Sequence, residues 1–358
     1  MQLSVLGSIL LYVGTFGLSA LASNFKIKNK FLKFFIIILP PVFLATFRYN
    51  IGYDYGSYIQ GFINSYDCTL ESIFSSYDIG DPIAYNFITK VMTFFDSDRL
   101  FLMVLSLLSL IPGLIYILND WKDVNTKSLM IFIYLFIPFI FSFSACKQGI
   151  ALSILIYSLK YVFNRKLFKF LLCVLLAFLF HSTSIIFIFV YFMLDKKGNF
   201  SLLKKIFLII ACVFIIINLQ LILEGFMGGR YETYAIDNVE GRNRTFWLYS
   251  LLASIFLIFR KKLILIDKRN DLLIMMMIIG AITQYLGFSN AFAKRIGEYF
   301  LVAQVFLIPQ CIYIFKRSSR SLIFVLIVLY VVGIFLIANP TASSGMGFVP
   351  YRFIFGEL

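Results

Sequence analysis

Long apolar runs alternate with short polar loops along the whole chain. Runs of span length recur from end to end, which is typical of helices that cross a hydrocarbon core about 30 Å thick. We predict ten spans, and they cover residues 2–22, 31–47, 100–118, 128–145, 149–163, 202–223, 246–259, 271–288, 296–315 and 321–338. A shorter helix near 84–95 is expected at the membrane surface. The predicted fold is all-α, a polytopic integral membrane protein with one transmembrane domain over residues 1–358.

The apolar region 167–194 is expected to differ from the other spans, because a single span there would invert every later loop. Two half-length segments of about 14 residues, each about 21 Å long, would instead enter and leave on the same side. They would meet at His181 and Ser182, so we predict a re-entrant or half-helix hairpin. Non-helical backbone at that depth must be buried in protein or line a wet cavity. The hairpin therefore predicts a cavity that opens outward beside His181.

Basic residues collect on one predicted side of the membrane. With the loop 23–30 placed in the cytoplasm, 22 of the 32 Lys and Arg residues face inward, together with 5 of the 18 acids. The inner face then carries a net charge of +17 and the outer face −3, as the positive-inside rule requires. The net charge of +14 therefore follows from topology and indicates no nucleic-acid partner.

Composition excludes several classes of function. The chain is 61% hydrophobic and 14% charged, with a mean hydropathy of +0.90, whereas about a quarter of a soluble domain is charged. The first apolar stretch has span length and no basic leading region, so we expect no cleaved signal peptide. Five cysteines without a CxxC pair and one histidine argue against a metal site. No Walker A or GxGxxG sequence occurs, so we expect no cofactor and no metal.

The first polar cluster on the predicted outer side covers residues 48–58 and follows the second span. Two glycines there permit tight turns around the Asp54 carboxylate. Asp54 and Tyr58 would lie one turn apart if a helix begins at this point. The alternative is that Asp54 caps this helix while Tyr55 and Tyr58 belong to the interfacial aromatic belt.

Lys147 and His181 are the next candidates. Lys147 and Gln148 lie in the tight outer link between two spans, where a lysine needs a partner or water. It could meet an anionic headgroup, or it could snorkel to the interface. His181 could act as a general base or as a donor to a phosphate. The alternative is a neutral histidine hydrogen-bonded to Ser182 or Ser184.

Two further clusters place arginines on the outer side, where positive charge is otherwise scarce. The loop 224–244 contains Arg230 and Tyr231 with two more arginines, whose forks match phosphate oxygens. Its four acids could instead pair with them as a solvated network. Arg295 and Lys294 open the ninth predicted span, where a helix N-terminus already attracts anions. Glu298 could be the acid that compensates them.

These motifs, in this order, resemble the EpsG-like, Wzy-type O-antigen and exopolysaccharide polymerase family. The similarity rests on Arg-x-x-x-Gly-x-Asp-Tyr-x-x-Tyr at 48–58, Lys-Gln-Gly at 147–149, and Leu-Phe-His-Ser-Thr-Ser at 179–184. Arg-Tyr at 230–231 and Arg-x-x-x-Tyr at 295–299 complete it. Lys147 stands where an arginine is expected, and a lysine is a point charge without the arginine fork.

The resemblance implies a multi-pass glycosyltransferase of the bacterial cytoplasmic membrane, with a site that faces the periplasm or exterior. Its substrate would be an undecaprenyl-pyrophosphate-linked oligosaccharide within the membrane lipid, and a chain-length regulator and a flippase are expected partners. We expect the cations Arg48, Lys147, Arg230 and Arg295 to hold the pyrophosphate. Asp54 and His181 would be catalytic. The residues expected to bind sugar or support the site are Tyr55, Tyr58, Gln148, Tyr231 and Tyr299.

Two other functions remain open from the sequence. Another polyprenyl-lipid-dependent transferase, such as an O-antigen ligase, would share the cation pocket and differ in its acceptor. A flippase or transporter of lipid-linked oligosaccharide would show paired repeats and charges near the midplane. The chain shows no convincing half-to-half repeat, although a half-helix hairpin also occurs in transporters.

Overall fold

The computed structural model describes residues 1–75, 82–121, 123–194, 202–227, 244–288, 291–338 and 347–355. Within these ranges the only β-type pairings are two isolated bridges, Gln2 with Arg352 and Arg48 with Phe353. All other regular structure there is helical. The predicted all-α fold class is therefore confirmed.

Helices lie at all ten predicted span positions and at the predicted surface segment. In chain order the helices are α1 (Val5–Ala22), α2 (Lys30–Phe47), α3 (Tyr55–Asn64), α4 (Leu70–Ser75), α5 (Ile83–Thr93), α6 (Asp98–Asp120), α7 (Val124–Tyr134), α8 (Cys146–Phe163), α9 (Leu167–Phe178), α10 (Ile188–Phe192), α11 (Leu202–Met227), α12 (Arg244–Ile258), α13 (Arg260–Ile266), α14 (Asn270–Leu286), α15 (Ala291–Leu301), α16 (Gln304–Gln310) and α17 (Arg320–Ala338). Among the described helices, α1, α2, α6 and α17 are each long and apolar enough to cross a membrane, and the α15–α16 pair adds a fifth if it is one bent span. Shorter apolar helices occupy the predicted spans at 128–145, 246–259 and 271–288. The chain is a polytopic membrane protein.

Polar residues begin several of the spans. The Ser4 hydroxyl accepts a hydrogen bond from the Gly7 amide at 3.0 Å, and Asn29 accepts from two amides at the start of α2. Ser97 caps α6 in the same way. These side chains satisfy amides that the first helical turn leaves unpaired.

Two predicted spans are irregular. The helix that begins with α7 continues as a π-helical turn over Leu135–Phe139, where Pro138 supplies no amide hydrogen. The predicted span 296–315 is a pair of helices bent by 45° between Leu301 and Gln304. At the bend the amides of Val305 and Phe306 bond to carbonyls three residues back, a tighter pattern than the α-helix.

The region 167–194 is a hairpin, as predicted. α9 and a second segment, a 3₁₀ turn over Ser182–Phe187 continued by α10, meet at residues 179–181. The Arg165 guanidinium donates to the Tyr191 and Leu194 carbonyls, each at 2.8 Å, so the two ends of the hairpin lie side by side. At 1.5 Å per residue α9 is only about 18 Å long, too short to cross the core.

Charges at the ends of the helices define a basic end of the bundle, formed by Lys160, Arg165, Lys205, Arg260 and Arg269 with their acidic partners. Lys160 lies 3.7 Å from Asp120, and Arg260 and Lys205 both bind Asp271. The charge count assigns all of these residues to one face, and the structure brings them to one end. Which side of the membrane this end faces remains a prediction.

The N-terminal residues and the segment 347–355 meet at the other end of the bundle. The segment 347–355 lies between the N-terminus and the end of α2. Its residues Phe348, Val349 and Tyr351 are fully buried. The Leu3 amide donates to the Tyr351 carbonyl, and the Tyr351 hydroxyl donates to the Leu44 carbonyl at 2.6 Å. No pattern in the sequence predicted the position of this segment.

Candidate functional site

Asp54 directly precedes α3, at the end of the bundle opposite the basic end. Its backbone carbonyl accepts from the Tyr58 amide, which starts the helix. Its carboxylate makes no capping hydrogen bond, so the interpretation as a cap fails for the side chain. The loop before it turns at Gly52, whose φ is +100° and where a Cβ would lie 2.2 Å from the Phe143 carbonyl oxygen. Only glycine fits this contact.

The start of α8 is fixed against this loop. The Tyr58 hydroxyl accepts a hydrogen bond from the Cys146 amide at 2.7 Å, and the Ser144 hydroxyl accepts from the Tyr53 amide at 3.1 Å. Lys147 follows directly, and its ammonium lies 4.5 Å from the centre of the Tyr85 ring. A cation over an aromatic face is stabilised by the ring quadrupole. The lysine is thus held beside α5, the helix that the sequence predicts at the membrane surface.

His181 lies at the tip of the hairpin. Its Nδ1 is 2.7 Å from the Thr183 hydroxyl and 3.1 Å from the Tyr299 hydroxyl, and the two hydroxyls are 3.1 Å apart. If Nδ1 carries the proton, Nε2 is a base, and in the other tautomer Nε2 is a donor. The backbone of the hairpin tip is also bonded to α5, because the Ala84 amide donates to the Leu179 carbonyl.

Arg295 approaches from α15. Its side chain is exposed, while its carbonyl accepts from the Gln148 amide group at 2.7 Å. α15 packs closely on α14. The contact leaves no room for a side chain at Gly297, since a Cβ there would lie 2.2 Å from the Thr283 hydroxyl. One turn further along α15, Tyr299 is fully buried and reaches His181.

Hydrogen bonds thus join the four segments that carry the predicted residues Asp54, Lys147, His181 and Arg295, and we call these four residues the reaction cluster. Burial raises the pKa of the Asp54 carboxyl, while the charges of Arg295 and Lys147 act to lower it. The same two cations act on His181. One carboxylate, one imidazole and two cations thus share one electrostatic environment.

Arg48 lies apart from this cluster. It is only 4% exposed, its guanidinium stacks 4.4 Å from the centre of the Phe143 ring, and it donates to the Ala45 carbonyl. Its neighbour Tyr55 accepts from Arg99 at 3.0 Å, and Arg99 also donates to the Arg48 carbonyl. The geometry suits a role in shaping the loop.

Arg230 and Tyr231 lie outside the described residues. Four residues that the sequence motifs did not indicate hold the predicted residues or their loops in position: Tyr85, Arg99, Ser144 and Thr183. Thr183 falls within the histidine motif and could have been found there. The other three lie far along the chain from their partners, so no local signal marks them.

Two cavities flank the Asp54 loop. One has a volume of about 220 Å³ and is bordered by Tyr53, Lys294 and Glu298 together with apolar side chains of the helix that begins with α7 and of α17. The other, about 380 Å³, lies among α3, α4, α5 and Lys147. Both open at the same end of the bundle as the reaction cluster, which suits a long substrate with chemically different parts.

Comparison with known proteins identifies the family. The model of the EpsG family matches residues 31–353, which includes every segment of the reaction cluster. No curated protein and no solved structure matches the chain significantly.

Proposed function

The chain belongs to the EpsG family, and from that premise we propose that it is a bacterial polysaccharide polymerase. It transfers a growing glycan from undecaprenyl pyrophosphate to the sugar of another lipid-linked repeat unit. The reaction takes place on the outer face of the cytoplasmic membrane. The product is an O-antigen, a capsule or an exopolysaccharide.

The observation that carries this proposal is the reaction cluster. Glycosyl transfer from a lipid pyrophosphate needs cations where charge develops on the leaving group. It also needs a group that accepts the proton of the acceptor hydroxyl. Lys147 and Arg295 supply the charge, and Arg230 adds to it. Asp54 and His181 supply the two groups able to take a proton.

The roles of Asp54 and His181 follow from their surroundings. Asp54 organises the site between the two cations. His181 is the base, or the donor to a phosphate oxygen, through the ring nitrogen that Thr183 and Tyr299 leave for substrate. Thr183 and Tyr299 hold the imidazole in position through Nδ1, and Arg48 supports the loop that carries Asp54.

The proposal is tested in a deletion strain complemented with wild type, His181→Ala or Arg295→Ala, with membrane expression checked in parallel. The glycan ladder is expected to collapse to single repeat units on deletion and to return with wild type. Well-expressed variants are expected to leave single units. If both variants polymerise normally, the assigned site is wrong.

The deletion strain also distinguishes a polymerase from a flippase and from a ligase. A flippase would remove every glycan from the outer leaflet on deletion, including single units. A ligase would leave polymer on the carrier lipid and none on the final acceptor. A chain-length regulator and a flippase remain expected partners of the polymerase.

A further inference from the structure

The cavity among α3, α4, α5 and the start of α8 is lined almost entirely by small polar and aromatic side chains, and we call it the α3–α5 cavity. Its volume is about 380 Å³, within the range of about 300–1,000 Å³ typical of small-molecule sites. The lining residues that matter here are Ser57, Tyr58, Ser72, Tyr85, Asn86 and Thr89. Lys147 forms the wall that it shares with the reaction cluster.

The hydroxyl groups of the wall are set to accept hydrogen bonds. Ser65 donates its proton to the Gly61 carbonyl, and Thr89 donates to the Tyr85 carbonyl. A hydroxyl oxygen that donates its own proton can still accept a hydrogen bond from an incoming O–H. Asn86 offers both a donor and an acceptor through its amide.

The charge and apolarity of the cavity select the class of ligand. Among its described lining residues there is no carboxylate and no arginine, and Ile73 is the only aliphatic side chain. An isoprenoid tail would need apolar walls, and a pyrophosphate carries several negative charges, whereas Lys147 is the one cation among the described lining residues. A sugar ring presents several hydroxyls to polar groups and an apolar C–H face to aromatic rings, as this wall does.

We infer that the α3–α5 cavity binds the sugar ring of the repeat unit that lies next to the pyrophosphate. This inference rests on the proposed function and names the glycan subsite of the same site. Lys147 sets the order in which the substrate's groups bind, because the pyrophosphate lies on one side of the lysine and the sugar on the other. An acidic sugar would turn its carboxylate toward Lys147.

Gly61 provides a direct test. It lines the cavity, and a Cβ there would meet nothing within 4 Å, so Gly61→Leu introduces a large apolar side chain at the cavity wall from a Cβ position that is open. The matched control is Gly17→Leu, a helical glycine on α1 with equally open space and far from the cavity. Asn86→Ala removes the amide and leaves the cavity empty.

The purified full-length protein is assayed with lipid-linked repeat unit extracted from the deletion strain, and bare undecaprenyl pyrophosphate serves as a competing ligand. Gly61→Leu is expected to raise KM for the repeat unit at least about tenfold, as the loss of one or two hydrogen-bonded contacts would. Inhibition by bare undecaprenyl pyrophosphate should change less than about twofold. Asn86→Ala should weaken KM in the same direction, and Gly17→Leu should match wild type.

Three results decide the matter. An unchanged KM in Gly61→Leu would overturn the inference, and so would equal losses of repeat-unit and bare-carrier binding. If the wild-type protein forms no polymer, KM cannot be measured, and the binding of the glycan-bearing lipid and of the bare lipid is measured directly. A preference for glycan-bearing lipid over bare lipid that disappears in Gly61→Leu would then support the subsite while the polymerase function fails.

Discussion

Burial and charge act in opposite directions on the Asp54 carboxyl. Desolvation raises its pKa, and Arg295 and Lys147 oppose that rise. The proposed role of Asp54 requires the ionised form, so activity is expected to fall as the pH drops through the raised pKa. Asp54→Asn is expected to lower kcat by about 100-fold or more.

Lys147→Met is expected to move this acidic limb to higher pH. The substitution removes one of the two cations that lower the Asp54 pKa, so protonation begins at a higher pH. The measurement is kcat/KM of the residual activity as a function of pH. Lys28→Met, in a loop remote from the site, serves as the control. An unmoved limb in Lys147→Met would show that Asp54 is not the group that titrates.

The hairpin is the element on which the predicted topology depends. With a single span at 167–194, Lys166 and Lys204 would face opposite sides of the membrane. The Arg165 contacts to the Tyr191 and Leu194 carbonyls bring the ends together. In a background with the five cysteines replaced, Lys166→Cys and Lys204→Cys are expected to react with an impermeant thiol reagent from the same side. Labelling from opposite sides would rule out the hairpin.

The contact between α14 and α15 positions Arg295 and Tyr299. Gly297→Ala would drive a Cβ to 2.2 Å from the Thr283 hydroxyl oxygen, so we expect a loss of about 1–3 kcal/mol in the free energy of unfolding. Thr283→Ala in the same chain should restore part of it. The measurement is thermal unfolding in detergent, with Gly333→Ala as the control because a Cβ there meets nothing within 4 Å. Equal stability of Gly297→Ala and Gly333→Ala would contradict the close packing of α14 on α15.

Segment 347–355 joins the N-terminal residues to the end of α2, at the end of the bundle that carries the site. Tyr351→Phe removes the hydroxyl that donates to the Leu44 carbonyl, and we expect a loss of about 1 kcal/mol in the free energy of unfolding. Because Arg48 follows Leu44 by one turn, activity should fall with stability. Tyr285→Phe, at an exposed tyrosine, should change neither.

The hydropathy pattern by itself determined the spans. Burial in lipid leaves a long local apolar run, and the basic loops report orientation. The distribution of charge between the two sides also required the hairpin at 167–194. A single span there would have placed the basic residues of the later loops on the opposite side of the membrane. The motif at 48–58 also allowed a helix that starts at Asp54, and α3 begins directly after this residue.

Which side chains meet depends on tertiary packing. His181 bonds to Thr183 and Tyr299, where the sequence suggested Ser182 or Ser184. Arg48 lies against Phe143, and Lys147 lies over Tyr85. Apart from Thr183, these partners are tens to more than a hundred residues apart in the chain. Hydropathy and short motifs describe single segments, whereas such contacts depend on how helices pack and where they bend.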